Sequence, residues 1–174
     1  MKTLVLIAHP NIDESRINKA WKEQLETVEG VTVHALYEKY SNGQIDVEKE
    51  QELLLKHDRI VFQFPLYWYS SPSLLKEWQD QVLTYGWAYG STGKKLHGKR
   101  FMIATSAGGP SEAYQAGGYN HYSMSELLKP FQAMANLTGM IYEAPFTLHG
   151  VRVLSDNEIQ QSAEALVERI QSKA

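Results

Sequence analysis

From Thr3 to Ala8 the chain is a continuous apolar run with β-branched members, lacking the alternation of a strand wetted on one face. Such a run predicts a strand covered on both sides, the habit of parallel sheets. His9-Pro10-Asn11 bounds it. Ile17, Ala20, Trp21, Leu25 and Val28 then recur at helical spacing, with Ser15 placed to cap the helix and Gly30 to stop it.

The same unit repeats. Val31 to Leu36 reads as a short second strand and Val47 to His57 as an acidic helix. Arg59 to Phe64 resumes the buried-strand pattern until Pro65 stops it, and Pro72 opens a helix whose apolar face is Leu74, Leu75, Trp78, Val82 and Leu83. Residues 85–98 mix glycine, aromatic and basic residues in neither period, which predicts a functional or interface loop. Arg100 to Ser106 is a fourth strand, followed by a Gly- and Tyr-rich loop to about Ser123. A helix carrying Leu127, Leu128, Phe131, Met134, Ala135 and Leu137 ends at Gly139. Met140 to Leu148 gives a fifth strand broken by Pro145, and Asn157 to Gln171 a last helix.

Five strands alternating with five helices predict an α/β, doubly wound, five-stranded parallel sheet of order 2-1-3-4-5 with helices on both faces. Neither repeat nor linker divides it, so residues 1–174 are expected to form one domain. In that order ligands bind at the carboxyl ends of the strands near the reversal beside strand 1. Residues 9–18, 65–71 and 106–121 should gather there.

Composition narrows the chemistry. Seventeen Lys plus Arg against twenty Asp plus Glu leave a charge of -3, which offers no footprint for gripping nucleic acid. The chain has no cysteine, so disulfides, thiolate metal sites and cysteine nucleophiles are excluded. No apolar stretch reaches bilayer length and the first one is too short for a secretion signal, so a cytoplasmic protein is expected. The six histidines show no metal-ligand spacing, and the dinucleotide glycine fingerprint, the P-loop and the G-x-S-x-G elbow are all absent. No metal is expected.

The three loops carry distinct chemistry. His9, Ser15 and Asn18 lie between strand 1 and the first turn of helix 1, where free N–H groups and the helix dipole favour an anion such as phosphate, and Arg16 adds a positive charge. The blander reading makes Ser15 a cap and His9 a turn residue. Tyr67, Trp68 and Tyr69, after Pro65-Leu66, offer a flat platform for a planar ligand, or else a core residue beside a subunit contact. Ser106, Gly108 and Gly109 provide a hydroxyl and unobstructed backbone donors for a heterocycle, unless the glycines are a plain turn.

With these loops in place the sequence resembles the flavodoxin-like NAD(P)H:quinone oxidoreductases along nearly its whole length. The signatures are Ala8-His9-Pro10 with Ser15 and Asn18, Phe64-Pro65-Leu66-Tyr67-Trp68-Tyr69, Leu74-Leu75-Lys76-Glu77-Trp78, Gly86-Trp87-Ala88-Tyr89-Gly90 and Leu96-His97-Gly98-Lys99. The resemblance is strongest to short bacterial members, among them the ancillary subunit of the glutathione-gated potassium-efflux antiporter and the general stress proteins. It implies a homodimer with FMN at each subunit junction, FAD being the cofactor of longer relatives. The flavin phosphate would lie on His9, Ser15, Ile17 and Asn18, and the ring along Pro65, Leu66, Tyr67, Trp68 and Tyr69, meeting Ser106, Gly108 and Gly109. A catalytic Tyr–His pair in long relatives maps to Tyr114 and, departing from the pattern, to Asn120 with His121 one residue on; Tyr114 and His121 are the expected pair.

The expected function is ping-pong hydride transfer from NAD(P)H through flavin N5 to a quinone or similar small acceptor. Two alternatives stand beside it. One is a regulatory ancillary subunit of a membrane antiporter whose reductase activity is incidental; the other is a flavodoxin-type electron carrier.

Overall fold

The structure, a computed structural model, describes residues 1–172; residues 173 and 174 of the expected domain lie outside the described residues. Its strands are β1 (Thr3–Ile7), β2 (Val31–Ala35), β3 (Arg59–Pro65), β4 (Arg100–Ser106), β5 (Ile141–Tyr142) and β6 (Phe146–Leu148). The helices are α1 (Arg16–Glu26), α2 (Leu36–Lys39), α3 (Val47–Leu55), α4 (Ser73–Val82), α5 (Met124–Leu127), α6 (Lys129–Leu137) and α7 (Asp156–Gln171). All strand pairings are parallel, in the expected order β2-β1-β3-β4-β5, with β6 a second partner of β4.

The uninterrupted apolar runs have a direct cause. Leu4 and Leu6 of β1 pack with Phe62, Phe64, Phe101 and Trp78 on one face of the sheet, while Val5 and Ile7 pack with Trp21, Leu25, Ala163 and Leu166 on the other. Both faces of β1, β3 and β4 are therefore dry, and a strand buried on both faces has no polar positions to alternate.

The expected fifth strand is two segments. β5 pairs with Arg100 and Phe101, β6 with Ala104 to Ser106, and Glu143 to Pro145 lie between them. Pro145 has no N–H to give the ladder, and the buried Glu143 carboxylate is engaged by Arg59 Nε at 2.9 Å and Arg100 Nε at 2.5 Å. The helix expected through Leu127 to Leu137 is likewise divided at Leu128, with Pro130 in the first turn of α6. The short α2 follows β2 directly; four residues are too few to show a period.

At the β2 side of the sheet, Glu50 of α3 ties the elements around β2 together. Its carboxylate is buried and accepts from Tyr40 Oη at 2.5 Å and Trp78 Nε1 at 2.8 Å, and meets His34 Nε2 at 2.8 Å. Burial alone would push this carboxyl up, but the hydrogen bonds from His34, Tyr40 and Trp78 outweigh it and hold the group below its ordinary 4.5. Removing the acceptor strands three donors in a dry site. Urea denaturation should therefore show Glu50→Ala losing about 3–5 kcal/mol, whereas Lys76→Ala, which breaks only the exposed Lys76–Asp80 pair, should stay within about 0.5 kcal/mol. Because the folded carboxyl is the more acidic, the Glu50 contribution should be complete above pH 4.5 and fade as the pH falls below it. Equal losses in the two variants would show that Glu50 ties nothing together.

Candidate functional site

The first loop begins where β1 ends. His9 Nδ1 accepts from the Asn11 amide at 3.1 Å, which leaves the ring proton on Nε2, and burial holds the imidazole below its ordinary 6.5. At neutral pH His9 is thus an uncharged donor. Ser15 caps α1 by accepting from the Asn18 amide at 3.0 Å, so the amides of Arg16 and Ile17 are the first-turn donors left without an acceptor among the described residues. The Ile17 side chain is buried in the core, and only its backbone is open to a ligand.

Two side chains of this loop differ from expectation. Asn18 is only 1% exposed, and its side-chain amide is turned inward: Nδ2 donates to Ser106 Oγ at 3.2 Å, and its backbone carbonyl accepts from Gln63 Nε2 at 3.0 Å. It joins the first loop to the ends of β3 and β4 and is not a surface donor. Arg16 donates to Leu154 O at 3.0 Å and to Asp156 at 2.7 Å, so its charge is engaged at the start of α7.

The second loop is a two-residue hairpin. The Tyr67 and Ser70 amides and carbonyls exchange hydrogen bonds of 3.0 and 2.9 Å, and the central residues Trp68 and Tyr69 have φ of 49° and 61°. This is the mirror-image turn that Asn-Gly ordinarily fills, and a bulky residue held there carries strain of order 1–3 kcal/mol. The turn lifts Trp68 almost wholly into solvent, 93% exposed. Tyr69 Oη donates to Asn120 Oδ1 at 3.1 Å, linking the second loop to the third. Tyr67 instead faces the first loop, its ring edge-on to His9 with centroids 6.4 Å apart, and Pro65 is buried at the end of β3.

Leu66, Trp68 and Tyr69 form one wall of a cleft of about 330 Å³, and Gly108, Gly109, Tyr114, Tyr119, Asn120 and Arg152 complete it. Gly109 lies close under two rings: a methyl there would lie 2.8 Å from Tyr119 Oη and 3.2 Å from the Tyr114 ring, so both would have to give way. Burial pushes the Tyr114 phenol up, partly offset by the Gly109 backbone and Asn120, so it remains a protonated donor. His121 is exposed, with φ 63°, and is not part of the cleft wall; Asn120 is.

Arg152, Tyr119 and His149 were not singled out by sequence reasoning. His149 follows β6 and packs behind Tyr114, ring centroids 5.2 Å apart; burial holds it below 6.5, and its Nδ1 has no partner among the described residues. Topology was the available signal, since the loop after the last strand of such a sheet also opens at the carboxyl edge.

Comparison with known proteins agrees with this fold. A model of the family described as having a flavodoxin-like fold matches residues 1–172. An uncharacterized NAD(P)H oxidoreductase of Bacillus subtilis is 59% identical over 170 residues, covering 98% of this chain and 86% of that protein. A glutathione-regulated potassium-efflux system ancillary protein, KefG of Yersinia enterocolitica, is 41% identical over 98% of this chain and 93% of its own. The crystal structure of general stress protein 14 from Treponema denticola in complex with FMN superposes with a TM-score of 0.93 at 43% identity, covering 97% of both chains. An NADPH-quinone reductase from P. pentosaceus gives 0.89 at 37% identity, covering 100% of this chain and 99% of the other. With a matching family model over the described length and relatives of this similarity, the chain belongs to the flavodoxin-like family, among its NAD(P)H oxidoreductases.

Proposed function

We propose that this chain is an FMN-dependent NAD(P)H:quinone oxidoreductase. The observation that carries the reading is the meeting of unused first-turn amides, an aromatic-walled cleft and a Gly-Gly turn at one edge of the sheet. These donors fit FMN. The Arg16 and Ile17 amides, the Ser15 hydroxyl and the His9 Nε2–H suit a phosphate, and Trp68, Tyr69 and the amides of Gly108 and Gly109 suit a flat heterocycle with polar edges. FMN named with a 43% identical relative supports the choice of cofactor over FAD.

When bound, FMN supplies the two-electron chemistry. The chain's own residues do the rest. Leu66, Trp68 and Tyr69 stack and exclude water on one side, the 106–109 turn holds the polar edge, and Asn18 keeps the loops in register. Tyr114 presents its phenolic proton to the oxygen of a quinone entering the open side of the cleft. NAD(P)H and acceptor use that side in turn, which gives ping-pong kinetics. His121, outside the cleft, is left as a residue that a second chain could bring into play, and we propose a homodimer whose second copy covers the aromatic rim. Trp68, at 93% exposed, and Tyr119, at 66%, are the apolar surfaces such a copy would bury.

The 41% identity with the potassium-efflux ancillary protein favours a second reading, in which the same flavin domain docks on a membrane antiporter. Binding to the antiporter's cytoplasmic face at low and moderate salt separates the two.

Purified protein reconstituted with FMN and desalted should keep its yellow colour, bleach with NADPH under anaerobic conditions and recover with menadione. Initial rates should give parallel double-reciprocal lines, and Tyr114→Phe should lower kcat roughly a hundredfold while retaining FMN. Loss of FMN on desalting overturns the cofactor assignment, and an unchanged kcat in Tyr114→Phe overturns the proton donor. The strained hairpin gives a separate check: Trp68→Asn with Tyr69→Gly should raise stability by about 2 kcal/mol in urea and weaken FMN binding at least about tenfold, the loss of one stacked wall. If stability were unchanged, the turn would carry no strain worth relieving.

A further inference from the structure

Arg152 is the one formally charged side chain on the wall of the cleft. Its guanidinium packs over the Gly108 backbone, so that a methyl on Gly108 would lie 3.4 Å from Nε and 3.7 Å from Cζ. Among the described residues it has neither an ion-pair partner nor a side-chain hydrogen bond; Asp156, four residues on, is already held by Arg16 at 2.7 Å. Its backbone is fixed to the same turn it covers. The Gly150 amide donates to Gly109 O at 2.8 Å, the Val151 amide to Ala107 O at 3.3 Å, and the Val153 amide to Gly150 O at 3.1 Å. A cation without an anion, tethered over the Gly-Gly turn of an aromatic cleft, is placed for negative charge that develops on a flat ligand in that cleft.

The separate anion site at the start of α1 argues against a phosphate here. That site has its own donors, His9, Ser15 and two free amides, on the first loop, whereas Arg152 stands among the rings and the 108–109 turn.

Resting on the FMN reading above, we propose that Arg152 is the residue that sets how strongly the protein prefers reduced over oxidised FMN. The balance is simple. FMN accepts a hydride from NAD(P)H, NAD(P)⁺ is released, and the reduced isoalloxazine carries one more negative charge than the oxidised ring until a proton arrives from solvent. A guanidinium standing at the 108–109 turn stabilises that added charge and leaves the uncharged oxidised ring almost unaffected. Arg152 acts on the equilibrium and gives up no proton.

The test compares wild type, Arg152→Gln and Arg152→Lys, each loaded with FMN, by anaerobic reduction against a reference dye together with titration of oxidised FMN into the apoprotein. Arg152→Gln should lower the ratio of reduced to oxidised FMN affinity about tenfold, a two-electron potential about 30 mV more negative. Its affinity for oxidised FMN should stay within about threefold, and Arg152→Lys should restore most of the ratio, since charge is the property at work. An unchanged ratio in Arg152→Gln overturns the proposal while leaving the flavin reading intact. So does a lysine variant that falls as far as the glutamine one, which would make the role one of packing. Failure of wild type to hold FMN removes the flavin reading itself, and this proposal with it.

Discussion

The candidate site depends on one buried polar junction. Asn18, at the first turn of α1, donates to Ser106 at the end of β4, and its carbonyl accepts from Gln63 in β3. The first turn of α1 is thereby held to β3 and to the end of β4, the strands from which the other two loops leave. Each of these residues is buried, where a lost partner costs about 1–3 kcal/mol, and Gln63 Oε1 is the one side-chain atom of the junction with no partner among the described residues. The parallel order β2-β1-β3-β4 brings the strand ends to one edge, and the amide joins them. Everything the cleft can do follows from that: donors at the helix start, rings on the hairpin and the glycine turn keep fixed separations.

Against this rigid floor stands a strained rim. A Trp-Tyr pair in a turn suited to Asn-Gly carries backbone strain and exposes apolar surface. Such local conflict is expected where a surface is kept for a ligand or partner. The same division runs through the electrostatics. Buried charges away from the cleft, such as Glu50 and Glu143, are satisfied by several partners, whereas the guanidinium on the cleft wall has none among the described residues.

Much of the fold was legible because strands dry on both faces write continuous apolar runs, and β1, β3 and β4 are such strands. Ser15 as cap and Gly108-Gly109 as turn were readable from local chemistry alone. The extra boundaries were not. α2, at four residues, is too short for a period to repeat, and the division of α5 from α6 accompanies a proline that a helix tolerates in its first turn. At the site, the roles of Asn18 and Arg16 depend on what lies across space: an amide beside a capping serine looks like a ligand donor until Gln63 and Ser106 are seen to claim it. His121 and Asn120 are adjacent in sequence, and only the turn at φ 63° decides which of them reaches the cleft. Arg152 lies in a connection with no motif, visible only once β6 is laid beside β4.

The central claim is that the three loops form one FMN site. Its most direct test is an amide-resolved NMR titration of the apoprotein with FMN. Shifts should concentrate in residues 9–18, 65–70 and 106–120, strongest at Arg16, Ile17, Gly108 and Gly109, and saturate together with a single dissociation constant. Shifts confined to the larger hollow of about 590 Å³ beside Gln79, Leu83, Phe131 and Met134, or separate saturation of the three loops, would contradict it.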